Sequence, residues 1–79
     1  MLFHKRGSEV KRAVEVAIAR EREAHKEATQ RFEREKEKAA LQRMRQLELN
    51  IERFERILKH TTADEVYDLS EQDLVDFGM

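Results

Sequence analysis

The sequence predicts an all-α protein built around one long, coiled-coil-like helix, and three observations support this prediction. Neither Pro nor Gly interrupts the chain from Glu9 to Lys59, and the whole sequence has no Pro and only two Gly. Charged residues make up 42% of the chain, but they alternate in sign and stand among Ala, Leu and Gln, which favours helix over disorder. Apolar residues recur every three or four positions over residues 40–58, as they do on one face of a helix.

Residues 1–8 are expected to form a flexible lead-in to this helix. Gly7 permits a turn, and Ser8 is a good N-cap because its hydroxyl can accept a hydrogen bond from an amide of the first helical turn. Glu9 then stands where the helix dipole favours an acid. The chain is therefore predicted to be one amphipathic segment over residues 9–60, helical from 9 to 59 and roughly 75 Å long at 1.5 Å per residue.

The second half of the predicted helix carries the stronger apolar seam. Side chains three and four residues apart lie on the same face of a helix, so this seam needs another surface to cover it. A single helix of this length cannot bury its own seam, and a second copy of the chain is the expected cover. The residues predicted to carry this self-association are Met44, Leu47, Ile51, Phe54 and Leu58.

A helical hairpin that bends near residues 32–38 is the alternative architecture. The first half of the helix has its own stripe, including Val10 and Val14, and in heptads this stripe is out of phase with the later seam by two residues. The charged run 31–38 between them could be a solvated part of one helix whose stripe drifts around the axis, or the bend of a hairpin. The run lacks the Gly, Asn or Pro that helix connections commonly use, which favours the continuous helix.

Residues 61–79 are expected to form an acidic cap of short helices. From Ala63 onward the sequence has six acids and neither Lys nor Arg. Thr62 with Glu65 and Ser70 with Asp73 have the spacing of capping boxes, which mark helix starts. Short helices are therefore predicted over 63–69 and 71–77, and Gly78 is expected to end the second one.

The acidic end is also the predicted docking element for a larger protein. Apolar side chains among acids at an accessible end can anchor in a groove while the acids steer the encounter. The predicted partner-binding residues are Leu74, Val75, Phe77, Asp73 and Asp76. The segment 72–77 resembles the peptides with which bacterial proteins bind the sliding clamp, with a leading Gln, an aliphatic residue and a Phe, but it has Asp73 where those peptides commonly have an apolar residue. For this segment, packing of the apolar side chains Leu74, Val75 and Phe77 back onto Phe54 and Leu58 is favoured over clamp-like docking.

Several functional classes lack support in this sequence. There is no Cys, the three His do not have the spacing of a helical zinc site, and no Gly-rich phosphate loop or Ser with a nearby base is present. We therefore expect a non-enzymatic protein with no metal, no cofactor and no small-molecule substrate. The chain also has no apolar run of about 18 residues and no apolar segment of a secretory signal at its start, so we expect no membrane association and a cytoplasmic location.

The resulting hypothesis is a small helical adaptor or inhibitor that self-associates and regulates a larger protein assembly. The alternative is a small dimeric nucleic-acid-binding regulator that uses its basic N-terminal turn to contact phosphates. The residues of that alternative site are Lys5, Arg6, Lys11 and Arg12. Acids recur through the rest of the helix, and no Asn joins the basic cluster to contact a base edge, which favours the protein-binding hypothesis.

Overall fold

The fold is a hairpin of two long helices. A small two-stranded sheet and a third helix cover the end of the hairpin opposite its bend. The computed structural model describes all residues from Met1 to Met79. The elements in chain order are β1 (Phe3–Arg6), α1 (Gly7–Glu35), α2 (Lys38–His60), β2 (Val66–Leu69) and α3 (Glu71–Asp76). The longest dimension of the Cα trace is 45 Å, which is close to the roughly 43 Å expected for a helix of the length of α1.

The predicted continuous helix over residues 9–59 is wrong, because the chain bends at Lys36 and Glu37. Lys36 has a left-handed backbone conformation with φ of 55°, and its amide donates a hydrogen bond to the carbonyl of Phe32 at 2.7 Å. This geometry closes a helix C-terminus without glycine. The bend lies inside the range 32–38 of the hairpin alternative. The absence of Gly, Asn and Pro from the charged run had wrongly favoured a continuous helix.

The phase shift between the two apolar stripes explains why a hairpin is favoured. On one straight helix the stripes would face different directions, and no single partner surface could cover both. In the hairpin α1 and α2 pack along each other, so that Val14 and Phe54 from the two halves enter one core cluster.

At the bend, Arg31 Nε donates a hydrogen bond to Glu35 Oε2 at 3.2 Å, which lowers the pKa of the Glu35 carboxyl from its ordinary value.

Replacing Lys36 with glycine is expected to stabilise the protein by at most about 1 kcal/mol, because it also removes the contact of Lys36 Nζ over the Phe32 ring, 5.6 Å from the ring centroid. A left-handed conformation costs a residue with a Cβ roughly this much, and glycine adopts it without that penalty. Urea unfolding followed by circular dichroism would measure the change. The matched control, Glu33→Gly within α1, should destabilise by about 1 kcal/mol, and a loss of stability for Lys36→Gly as large as that of the control would contradict the bend.

The two strands occupy segments that were predicted to be a flexible lead-in and a helix. Residues 3–6, expected to be flexible, form β1, and the helix predicted over 63–69 is wrong because residues 66–69 form β2. The strands pair antiparallel, with Phe3 opposite Leu69 and Arg6 opposite Val66. Val and Tyr in β2 favour strand geometry, but the pairing itself supplies the hydrogen bonds that an isolated four-residue segment lacks.

The helix ends show which local signals the fold uses. The first amides of α1 are satisfied by backbone carbonyls instead of by the hydroxyl of Ser8, since Gly7 N donates to Glu65 O at 2.7 Å and Ser8 N donates to Ala63 O at 3.0 Å. The predicted end of the long helix near His60 is confirmed by α2. The predicted start at Ser70 is also confirmed, because Ser70 and Asp73 form both hydrogen bonds of a capping box.

The main core lies at the end of the hairpin where the strands and α3 close it. Its buried residues come from α1, α2, β2 and the C-terminal turn: Val10, Val14, Ala17, Ile18, Phe54, Leu69 and Phe77. The rings of Phe54 and Phe77 pack edge to face with centroids 6.3 Å apart. Farther along the hairpin, Leu47 is only 1% exposed.

Candidate protein-binding surface

The residues predicted for self-association line the buried face of α2. Leu47 and Phe54 are buried, Ile51 and Leu58 are half-buried against the core cluster, and Met44 is half-buried. Packing within one chain therefore covers much of the seam that was expected to need a second copy. Homodimerisation through this seam stays a prediction, and it would require α1 and α2 to separate.

The apolar residues predicted for partner binding mostly pack inward. Phe77 is buried in the core against Phe54, and Leu74 is half-buried against the same cluster. Val75 differs, because 72% of its surface is exposed on α3. Of these three side chains, Val75 presents the most surface to a partner.

The predicted acidic partner-binding residues make contacts within the chain. Asp73 Oδ2 accepts a hydrogen bond from the amide of Ser70 at 3.1 Å and so belongs to the cap of α3. Asp76 Oδ2 lies 3.7 Å from Arg53 Nη2 on α2. The Asp73 contact stabilises the start of α3 itself, and the Asp76 contact links α3 to α2, so both carboxylates already have a partner within the chain.

The four residues of the alternative nucleic-acid site lie on β1 and the first turns of α1. Lys5 and Arg6 are on β1, whereas Lys11 and Arg12 are on α1. The acidic segment runs beside this strand, and His4 Nδ1 lies 2.5 Å from Asp68 Oδ1 across the sheet. Because the acidic segment lies next to the basic strand, the positive potential at the basic cluster is lower than it would be if the two ends of the chain were far apart.

A shallow apolar groove opens between α1 and the C-terminal turn, and we call it the terminal groove. Its walls are formed by Ala13, Val16, Phe77, Gly78 and Met79, around a cavity of about 320 Å³. Val16 is 53% exposed and Met79 is 42% exposed, whereas Phe77 forms a buried floor. The groove therefore offers an apolar contact surface that the fold itself leaves uncovered.

Two arginines and one acid form the rim of the terminal groove. Arg12 and Arg20 lie one helical turn before and after Val16, so all three occupy one face of α1. Both arginines are exposed and have no carboxylate within 4.0 Å. Glu9 stands at the end of the groove nearest the start of α1. The rim carries two unpaired positive charges next to an apolar cavity.

The C-terminal turn shapes one wall of the groove. Gly78 has a positive φ of 70°, which side chains rarely allow, and this lets the chain turn back after α3. A Cβ at this position would lie 3.6 Å from Nη1 of Arg20, which shows that the guanidinium extends over the turn. Arg20 is therefore placed beside the cavity.

The terminal groove was not predicted from the sequence, although Val16 gave one signal for it. Val16 falls outside the α1 stripe that includes Val14 and Ala17, so it is a large apolar residue without a place in the predicted core. A similar pattern occurs on α2, where 60% of Leu49 is exposed one turn after Arg45. No cavity lies at Leu49, and only the tertiary structure distinguishes the two sites.

The structure has neither a metal-binding cluster nor a membrane-spanning helix. No group of three or more His, Asp or Glu side chains lies close enough together to hold a metal ion. None of the three helices combines the length and apolar character needed to cross a membrane. No protein-family model, no curated protein and no solved structure matches this chain.

Proposed function

We propose that this chain is a small, non-enzymatic helical adaptor or inhibitor that binds a larger protein assembly through the terminal groove. The observation that carries the proposal is the exposed apolar side chain of Val16 beside an open cavity whose rim holds two unpaired arginines. Contact sites on proteins combine an apolar centre with a polar or charged rim. The terminal groove has this arrangement, and it is available without any opening of the core.

The hairpin supports this role because it makes the groove a defined surface. The groove joins a long helix to the C-terminal turn, and Phe77 anchors that turn in the core against Phe54. A preformed site loses less conformational freedom on binding than a flexible segment would lose. For this reason the groove is a better candidate than the acidic end taken as a free peptide.

Replacing Val16 with aspartate is expected to weaken binding of the partner protein at least tenfold. Val16 is 53% exposed, so burial of the rest of its side chain is worth roughly half of the 1.5–3 kcal/mol for a fully buried valine. The aspartate would remove this gain and, one turn from both Arg12 and Arg20, would also partly neutralise the positive charge of the rim. To measure this, the tagged full chain is expressed in cells of the organism that encodes it and is recovered after mild crosslinking. The proteins bound to it are then quantified. The matched control is Leu49→Asp, which makes the same kind of change at an exposed site without a cavity.

The pattern of recovery decides between the candidate functions. We expect one protein or complex to be recovered with the unchanged chain and with Leu49→Asp, but not with Val16→Asp. Equal recovery with all three chains would place binding on another surface. Recovery of nucleic acid that falls steeply with the logarithm of salt concentration, and is lost when Lys5 and Arg6 become glutamate, would favour the nucleic-acid alternative.

A further inference from the structure

We propose that the terminal groove recognises an acidic peptide segment with one large apolar side chain between two carboxylates. This inference rests on the proposed protein-binding function and adds the chemistry of the partner. The apolar side chain would enter the cavity beside Val16, and the carboxylates would meet Arg12 and Arg20.

The volume and the apolar lining of the cavity indicate a single apolar anchor side chain. Its volume of about 320 Å³ stands at the lower end of the ~300–1,000 Å³ that ligand pockets usually have, which suits one large side chain. Ala13 is small and leaves room above α1, while Phe77 closes the floor and Met79 forms the opposite lip. Methionine adapts to differently shaped apolar groups, so either leucine or phenylalanine can serve as the anchor.

The distance between the two arginines indicates how far apart the two carboxylates of the peptide lie. Arg12 and Arg20 are eight residues apart on α1, which places their Cα atoms about 12 Å from each other. An extended peptide covers about 3.3 Å per residue, so two acids four positions apart span a similar distance with the anchor midway between them. The geometry therefore indicates a pattern of acid, any residue, large apolar residue, any residue and acid.

The charges around the groove favour a peptide over a phosphate backbone. Neither Arg12 nor Arg20 forms an ion pair within the chain, so each guanidinium can receive a carboxylate without breaking another contact. Glu9 lies at the end of the groove beyond Arg12 and repels anions there, which opposes a continuous line of phosphates more than it opposes the single carboxylate placed at Arg12. Two cations around an apolar cavity suit two separate carboxylates.

Fluorescence anisotropy with a defined probe tests this inference. The probe is a fluorescein-labelled peptide with the core Asp-Ser-Phe-Ser-Asp, titrated with the full chain at low and at moderate salt. Two further peptides replace both Asp with Asn, or Phe with Ala. We expect each replacement to weaken binding at least tenfold, and we expect higher salt to weaken the acidic probe more than the Asn peptide.

Charge reversal identifies the residues responsible. The double variant Arg12→Glu, Arg20→Glu should bind the probe at least tenfold more weakly, whereas the control Arg45→Glu on α2 should bind it as the unchanged chain does. All three arginines are exposed, and circular dichroism checks that each variant is folded. No binding by the unchanged chain, equal binding of the Asn peptide, or unchanged binding by the double variant would overturn the inference.

The outcomes also separate this inference from the proposed function. If a cellular partner is lost with Val16→Asp but keeps its affinity for the double arginine variant, the protein-binding function stands and the acidic partner is wrong. If neither the probe nor any cellular protein depends on Val16, both are wrong. A concentration-dependent dimer that Val16→Asp dissolves, without probe binding, would identify a second copy as the occupant and overturn the peptide assignment.

Discussion

Replacing Phe54 with alanine is expected to destabilise the protein by about 3–5 kcal/mol, the usual cost of removing a buried aromatic ring. Phe54 is 4% exposed and belongs to the one cluster that joins α1, α2, β2 and the C-terminal turn. Its ring also packs edge to face on Phe77, so the variant would loosen the turn that forms the terminal groove. For a small domain this loss is a large part of the total stability, and the variant should be largely unfolded at 37 °C.

Urea denaturation followed by circular dichroism measures the effect of Phe54→Ala. The control is Leu49→Ala, also on α2 but 60% exposed, which should change the free energy of unfolding by less than about 0.5 kcal/mol. Phe54→Leu should fall between the two because it keeps much of the apolar volume. Similar stabilities for Phe54→Ala and Leu49→Ala would show that α2 does not pack on α1 through this face.

Replacing Gly7 with alanine is expected to destabilise the protein by about 2–4 kcal/mol, from steric strain and weakened hydrogen bonds. A Cβ on Gly7 would lie 1.8 Å from the carbonyl oxygen of Thr62 and 3.1 Å from Cα of Ala63. Both are backbone atoms, so the segment before β2 must move away from α1. That movement would break the hydrogen bond from Gly7 N to Glu65 O, which is 2.7 Å long.

The sign of the Gly7→Ala effect makes the measurement informative. In an ordinary exposed helical position the same change stabilises by about 0.5–1 kcal/mol, because alanine is the better helix former. Ser8→Ala is the matched control, since Ser8 is exposed and its side chain caps nothing in this structure. Thermal unfolding should show a lower midpoint for Gly7→Ala and little change for Ser8→Ala. A higher midpoint for Gly7→Ala would mean that residues 62–65 do not pack against the start of α1.

Local sequence signals correctly indicated much of the secondary structure. The seam around Leu47 and Phe54 marks the buried face of α2, and the Ser70 capping box marks the start of α3. These features depend on residues three or four positions apart, so the periodicity of the helix makes them visible in the sequence. The helix end at Lys36 had no such local signal, because Lys36 adopts a left-handed conformation where glycine is usual.

The two strands were not predicted because they pair with each other over a long separation in sequence. His4 and Asp68 meet across the sheet although 64 residues separate them in sequence. Each strand is too short to be recognised alone, and the Thr62 capping-box pattern suggested a helix. The acidic character of one end and the basic character of the other were evident in the sequence, but not that the two ends would lie side by side.

The amino-acid sequence was sufficient to predict that most of the chain is helical, where α2 ends, where α3 begins, and which face of α2 is apolar. Those properties follow from backbone preferences and from side chains one turn apart. The favoured packing of Phe77 against Phe54 is present in the structure. Tertiary packing alone establishes that α1 covers the apolar face of α2 and that Val16 stays exposed. The terminal groove exists because residues 12–20 and 77–79, distant in sequence, are brought together by the hairpin and its core. Long-range packing therefore decides which apolar surface stays exposed.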